Sequence, residues 1–157
     1  MSQQRLEVAS WDETFMNIAE VVKKRSKDPI TQVGACIVSS DNRILSLGYN
    51  GAPNGFDDET FPWGKIGEYS DTKHAYVVHA ERNAILNFRG SLREFEGSKL
   101  YVTYFPCNEC AKEIAQVRIE EVVFSVEPDW NKDQYKSSKI LLEKVGISFR
   151  KYNKTPG

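Results

Sequence analysis

The chain has 157 residues, 40% apolar and 27% charged, a balance that fits one soluble globular domain spanning 1–157 and excludes a disordered or fibrous chain. Its 21 basic and 22 acidic residues leave a net charge of −1. That lacks the basic excess with which proteins grip long nucleic acids, yet a few local cations would suffice for a small anion. No apolar run is long enough to span a bilayer, and Met1 to Ser10 lacks the basic-then-apolar order of a secretory leader. We therefore expect a cytoplasmic protein with no membrane partner.

Ser10 and Glu13 have capping-box spacing, and Trp11, Phe15, Ile18 and Val22 follow at helical intervals, predicting a helix to about Lys24. Val33 to Ser39 is a short β-rich apolar run, turned by Asp41-Asn42 into a second strand from Ile44 to Tyr49. A helix fits His79 to Phe88, a strand Leu100 to Tyr104, a helix Glu109 to Gln116 and a strand Glu121 to Ser125. A last helix from Asp133 to Val145 stops at Gly146, before a strand at Ser148 to Arg150. Alternating helix and strand units of this kind predict an α/β sheet covered by helices on both faces. Between Asn50 and Val78 no periodic segment appears. So long an irregular stretch in a compact domain is commonly functional, and Phe56, Phe61 and Trp63 argue that it is ordered.

The three cysteines are Cys36, Cys107 and Cys110, a sparse odd set that favours a metal site for the close pair over a disulfide framework. Cys36, inside VGACIV, reads as a buried apolar residue. His79-Ala80-Glu81, then 24 residues, then Pro106-Cys107-Asn108-Glu109-Cys110, is the H-x-E…P-C-x-x-C signature of zinc-dependent nucleobase deaminases. The residue types suit the chemistry. His79, Cys107 and Cys110 are three ligands for Zn²⁺ and leave one tetrahedral position open, the mark of a catalytic rather than a structural site. Both ligand groups fall at expected helix starts, where the positive end of the helix favours thiolates. Glu81 lies off the face of His79 and is free to act as general acid and base. It would take a proton from the water attacking C4 of cytosine and return protons to N3 and the departing amino group. His74 has no paired ligand and reads as a loop histidine.

At these residues the sequence resembles the deoxycytidylate (dCMP) deaminase family of the cytidine deaminase-like superfamily. RSKDPITQVGACIV (Arg25 to Val38), GYNGAPNGFDD (Gly48 to Asp58), HAERNAIL (His79 to Leu86) and FPCNECAK (Phe105 to Lys112) carry the likeness, which runs from about Phe15 to Lys151. It implies a three-layer α/β/α fold with a five-stranded mixed sheet. It also implies conversion of dCMP to dUMP for thymidylate synthesis, by a hexamer activated by dCTP and inhibited by dTTP with Mg²⁺. Asn50 is expected at the deoxyribose and the backbone of Ala80 at the base.

The phosphate contacts are less determined. Arg25, Ser26 and Lys27 form a compact polar set after the first helix, and a solvated helix terminus is the alternative reading. The family tyrosine that follows the fourth strand is missing from Glu127-Pro128-Asp129-Trp130. Trp130 offers an indole N–H there, or simply packs. Gly51, Asn54, Gly55, Asp57 and Asp58 are candidates for a regulatory dNTP site, with an ordinary turn as the alternative. Rival readings are a cytidine or tRNA adenosine deaminase of the same fold, and a zinc-stabilised dNTP-binding module. The balanced charge weighs against tRNA, and Glu81 weighs against a module that only binds.

Overall fold

The computed structural model describes residues 2–154. Helix α1 (Trp11–Lys23) starts where Ser10 Oγ accepts a hydrogen bond from the Glu13 amide at 3.0 Å. Strands β1 (Gly34–Val38) and β2 (Ile44–Tyr49) form a hairpin, and Asn42 takes the left-handed conformation at the turn. Helix α2 (Ala80–Asn87), strand β3 (Lys99–Tyr104), helix α3 (Asn108–Gln116) and strand β4 (Glu121–Val126) follow. Helix α4 (Asp133–Val145) ends at Gly146, whose φ of 81° closes it in the left-handed region, and β5 (Ser148–Lys151) completes the sheet. A 3₁₀ turn at Leu92–Phe95, held by a Ser91/Glu94 capping box, goes beyond the sequence reading.

The strand order is β2-β1-β3-β4-β5. The β1 strand runs antiparallel to both β2 and β3, whereas β3, β4 and β5 are parallel, because helices rather than hairpins join them. Alternation along the strands sorts the core. Ala35, Ile37, Leu100, Val102, Val122 and Phe124 share one hydrophobic cluster with residues of α2, α3 and α4. Cys36, Val38, Tyr101 and Val123 share another with Phe15, Met16 and Ala19 of α1. The result is the expected α/β/α arrangement, with one helix on one face and three on the other.

Two glycines allow the helices to lie close. A Cβ on Gly34 would overlap the backbone of Ala19 and Lys23 in α1. A Cβ on Gly48 would overlap the backbone of Ala80 and Ala84, so α2 sits on β2 only because that position has no side chain. Helix α2 also serves the outer strand: Asn83 Nδ2 donates to the Tyr49 carbonyl at 2.7 Å, and Asn87 Nδ2 to that of Leu47 at 3.4 Å.

The stretch from 50 to 78 is an ordered loop with a closed base. Gly51 and Val78 exchange backbone hydrogen bonds of 3.0 and 2.9 Å, bringing its ends together. Phe56, Phe61, Trp63 and Tyr76 pack ring against ring inside it, and Phe61 is buried. Two 3₁₀ turns, Tyr69–Asp71 and Lys73–Ala75, lead back toward α2, with His74 in the second. Lys73 Nζ reaches across to Asp28 at 2.6 Å, and the two side chains are only 7% and 1% exposed. Asp28 also accepts from the Ile30 and Thr31 amides. This ion pair fastens the loop to the segment that enters β1. Lys73→Met leaves the Asp28 carboxylate buried without its cation and should cost about 3–5 kcal/mol of stability. A urea unfolding midpoint equal to that of the unaltered protein would refute the structural role.

Candidate active site

Two helix starts build the centre. His79 is the N-cap of α2 and Cys107 the N-cap of α3, each in extended backbone conformation, and neither side chain caps its own helix. Ser, Thr, Asp or Asn in such a position would bond back to the helix amides. Here both side chains are free to point at a shared partner. Helices α2 and α3 thus begin one residue away from the starts read in the sequence, and each cap residue is a ligand candidate.

His79 Nδ1 lies 3.3 Å from Cys110 Sγ and 3.5 Å from Cys107 Sγ, and all three candidate ligand atoms fall within 4.8 Å of one another. Zinc bonds to sulfur of about 2.3 Å and to nitrogen of 2.0–2.1 Å at the tetrahedral angle put N and S roughly 3.6 Å apart. The donor set fits that ion in both spacing and chemistry.

The electrostatics of the set are uneven. Cys110 donates to Cys107 and, helped by His79, holds the Cys107 thiol down at about 4. The same bond, together with burial, pushes Cys110 well above the ordinary thiol range. The hydrogen bond to Cys107 raises His79 in turn. Ligands to a dication are held deprotonated, so a bound metal would oppose that rise at Cys110.

Glu81, 5% exposed, lies beside Cys110. Burial raises its carboxyl above the usual range, and nearby His79 opposes that rise. A buried carboxyl shifted toward neutrality and adjoining a three-ligand centre is suited to moving protons.

Arg82 is a residue the sequence reading did not single out. Its Nε donates to Glu113 Oε1 at 2.6 Å, tying α2 to α3, and its guanidinium lies within electrostatic reach of both sulfurs. The motif alone gives no signal for it, because its partner is 31 residues away.

The remaining candidates separate into groups. Ala80 is the first residue of α2, so its amide has no acceptor within the helix. Asn50 is buried; its side chain accepts from the Val33 amide at 2.9 Å and donates to the Thr31 carbonyl at 2.8 Å. One N–H and one oxygen lone pair of that amide remain for a ligand. Ser26 Oγ donates to the Asn50 carbonyl at 2.9 Å.

Arg25 and Lys27 instead line a cleft of about 650 Å³ together with Gly51, Asn54, Gly55, Asp58 and Arg89. The cleft shares Asn50 and Val78 with the surroundings of the centre, but none of His79, Glu81, Cys107 or Cys110 lines it. Lys27 pairs with Asp58. Asp57 lies outside that lining, its carboxylate accepting from the Glu59 amide. Trp130 packs edge to face on Phe105, ring centroids 4.9 Å apart, with Lys139 Nζ over its ring at 5.5 Å. Cys36 is fully buried beneath α1, where burial pushes its thiol up to about 12.

An α/β/α sandwich that brings a His/Cys/Cys set and a buried glutamate together at two helix starts is the architecture of the zinc-dependent deaminases. Comparison with known proteins agrees. Residues 9–126 match the family described as the cytidine and deoxycytidylate deaminase zinc-binding region. A probable deoxycytidylate deaminase of Drosophila melanogaster is 46% identical over 96% of this chain and 76% of its own length. The human deoxycytidylate deaminase is 44% identical over 96% of this chain and 84% of its own. The crystal structure of dCMP deaminase from the cyanophage S-TIM5, in complex with dCMP and dUMP, superposes with a TM-score of 0.70 at 28% identity, covering 89% of this chain and 95% of that one. The chain belongs to the cytidine and deoxycytidylate deaminase family.

Among the described residues no helix is long and apolar enough to cross a membrane. Cys107→Ser should take zinc content from about one ion per chain toward none, whereas Cys36→Ser should leave it unchanged. Stoichiometric zinc in purified Cys107→Ser, by atomic absorption, would remove Cys107 from the ligand set.

Proposed function

We propose that this protein hydrolyses the 4-amino group of dCMP, giving dUMP and ammonia and so supplying dUMP for thymidylate synthesis. The observation that carries the chemistry is the buried Glu81 beside the His79/Cys107/Cys110 set. The substrate rests on likeness: the fly and human relatives are named for this reaction, and the cyanophage enzyme is solved with dCMP and dUMP.

In this reading His79, Cys107 and Cys110 hold Zn²⁺. When bound, the ion supplies the Lewis acidity that makes water nucleophilic near neutral pH. Glu81 takes a proton from the attacking water as it adds to C4 and passes it to N3; it then takes the proton left on the new C4 hydroxyl and passes it to the amino group, which leaves as ammonia as the C4–N bond breaks and C4=O forms. The Ala80 amide, free at the start of α2, holds the base. Asn50, fixed by Thr31, Val33 and Ser26, offers its remaining donor and acceptor to the deoxyribose.

Zinc-loaded protein should release ammonia from dCMP much faster than from cytidine. Glu81→Gln should retain zinc while losing roughly 10²–10⁴ in kcat. Full activity in that variant would refute the acid–base role, and release from cytidine in preference to dCMP would overturn the substrate.

We infer also that the protein is a hexamer regulated by dCTP and dTTP with Mg²⁺, and that the Gly51–Asp58 cleft is the effector site. Arg25, Lys27 and Arg89 line it as cations for a triphosphate, Asp58 is the acid that lines it, and Gly51 and Gly55 present backbone without side chains. Arg25 and Lys27 are therefore assigned to the effector rather than to the substrate phosphate. Exposed Ile44, Leu47, Tyr49 and Leu86 on and beside β2 supply apolar surface for assembly. dCTP with MgCl₂ should lower the half-saturating dCMP concentration several-fold, and Arg89→Ala should abolish that shift. Identical saturation curves with and without dCTP would remove the regulatory reading and leave the catalytic one intact.

A further inference from the structure

Two asparagines of this chain precede glycine, Asn50 and Asn54, and the fold treats them in opposite ways. An asparagine before glycine is labile, because the next backbone nitrogen can attack the side-chain Cγ and glycine has no Cβ to block the approach. The N–Cγ bond forms, the Cγ–Nδ2 bond breaks, and the backbone amide proton leaves with the amino group as ammonia. Water then opens the five-membered imide at either carbonyl, leaving aspartate or isoaspartate and releasing a proton.

Asn50 is locked against that first step. It is 5% exposed, its Oδ1 accepts from the Val33 amide and its Nδ2 donates to the Thr31 carbonyl. The attacking nitrogen is engaged as well, since the Gly51 amide donates to the Val78 carbonyl at 3.0 Å. Asn54 lacks all of these restraints. It is exposed, and among the described residues neither its side chain nor the Gly55 amide has a hydrogen-bond partner. A Cβ built on Gly55 would meet nothing within 4 Å, so the approach is open. Asn54 and Gly55 are the central residues of a turn closed by one bond, from the Phe56 amide to the Pro53 carbonyl at 3.0 Å. With φ negative at Asn54 and 93° at Gly55, this is a type II turn. Breaking that one surface bond lets Asn54 rotate its backbone under its side chain, a local opening that needs no global unfolding.

The position of Asn54 gives the reaction a consequence. Its side chain lines the cleft that Arg25, Lys27, Arg89 and Asp58 also line. Deamidation turns a neutral amide into a carboxylate among those cations, of which Lys27 is already paired with Asp58. Isoaspartate also lengthens the main chain just before Phe56, whose ring packs on Phe61 and Tyr76.

We propose that Asn54 is a site of spontaneous deamidation, and that its conversion to a carboxylate weakens the hold of the cleft on polyphosphate anions. The modification itself is independent of the deaminase reading, whereas the loss of anion binding rests on the cleft being the effector site.

The full chain is kept for days at mildly alkaline pH, folded and in urea, and then digested with trypsin. Both asparagines fall on the peptide from Ile44 to Lys65, so fragmentation locates the change, and isoaspartyl methyltransferase labels isoaspartate. The folded chain should convert Asn54 and spare Asn50, while the chain in urea should convert both. An Asn54 that stays intact in the folded chain while reacting in urea would overturn the site. So would equal conversion of Asn50 and Asn54 in the folded chain. Calorimetric titration with tripolyphosphate at low salt, on unaltered protein, N54D and N54S of matching melting temperature, reads the consequence. N54D should bind several-fold more weakly, as a like charge beside the anion requires, and N54S should stay close to the unaltered protein. Equal affinity in N54D would overturn the charge effect. An unaltered protein that binds no tripolyphosphate would defeat the effector cleft, with the peptide map still deciding the modification.

Discussion

Everything at the centre of this molecule depends on how closely α2 approaches the sheet. His79 has to meet two sulfurs carried by a different helix, and the distances involved are only 3.3 and 3.5 Å. Helix α2 can take that position because Gly48 presents bare backbone to Ala80 and Ala84. A methyl group there would push the helix outward and take His79 and Glu81 with it. Helix α3 is placed by its own packing, with Cys110, Ala111 and Ile114 buried, and the Arg82–Glu113 pair couples the two helices at their surface. The geometry of the candidate ligands is therefore a property of the sandwich as a whole, although the residues themselves come from two short motifs.

A second constraint supports the first. Beside the centre lie segments with little regular structure: the chain from 26 to 33, Asn50, and the loop that ends at Val78. Besides the Gly51–Val78 and Asn50–Val33 backbone bonds, side chains hold them. Asn50 binds the incoming segment through both ends of its amide, Ser26 binds Asn50, and the buried Asp28–Lys73 pair closes the loop over them. Burying two charges is costly unless the geometry is good, and this pair shares its carboxylate with two backbone amides. Such an arrangement fixes one conformation of a loop that composition alone would leave loose.

The regular elements were legible because local signals and packing agree. Ser10 caps α1, Gly146 stops α4, Asn42 turns the hairpin, and the alternation in GACIV divides cleanly between the two faces. The grouping of His79, Cys107 and Cys110 was legible from spacing, since two cysteines three apart and a distant histidine have few other reasons to occur in that order. What sequence could not show was pairing across long separations. Lys73 reads as a loop lysine until Asp28 is placed beside it, and Arg82 as a solvated helix residue until Glu113 is. Arg25 and Lys27 read as neighbours of a substrate; in the fold they line a cleft that also takes in Asn50.

The two asparagines of α2 that bond to the outer strand have a consequence of their own. An edge strand normally offers its carbonyls as a template on which another chain can add. Here Asn83 and Asn87 already occupy the carbonyls of Tyr49 and Leu47. At those two positions the sheet is quenched from within, by the helix that also carries the glutamate. A copy of this chain that docks along β2 must then recognise the shape and greasiness of Leu47, Tyr49 and Leu86, and cannot simply lengthen the sheet. The same helix that positions the chemistry thus restricts the way the molecule can associate.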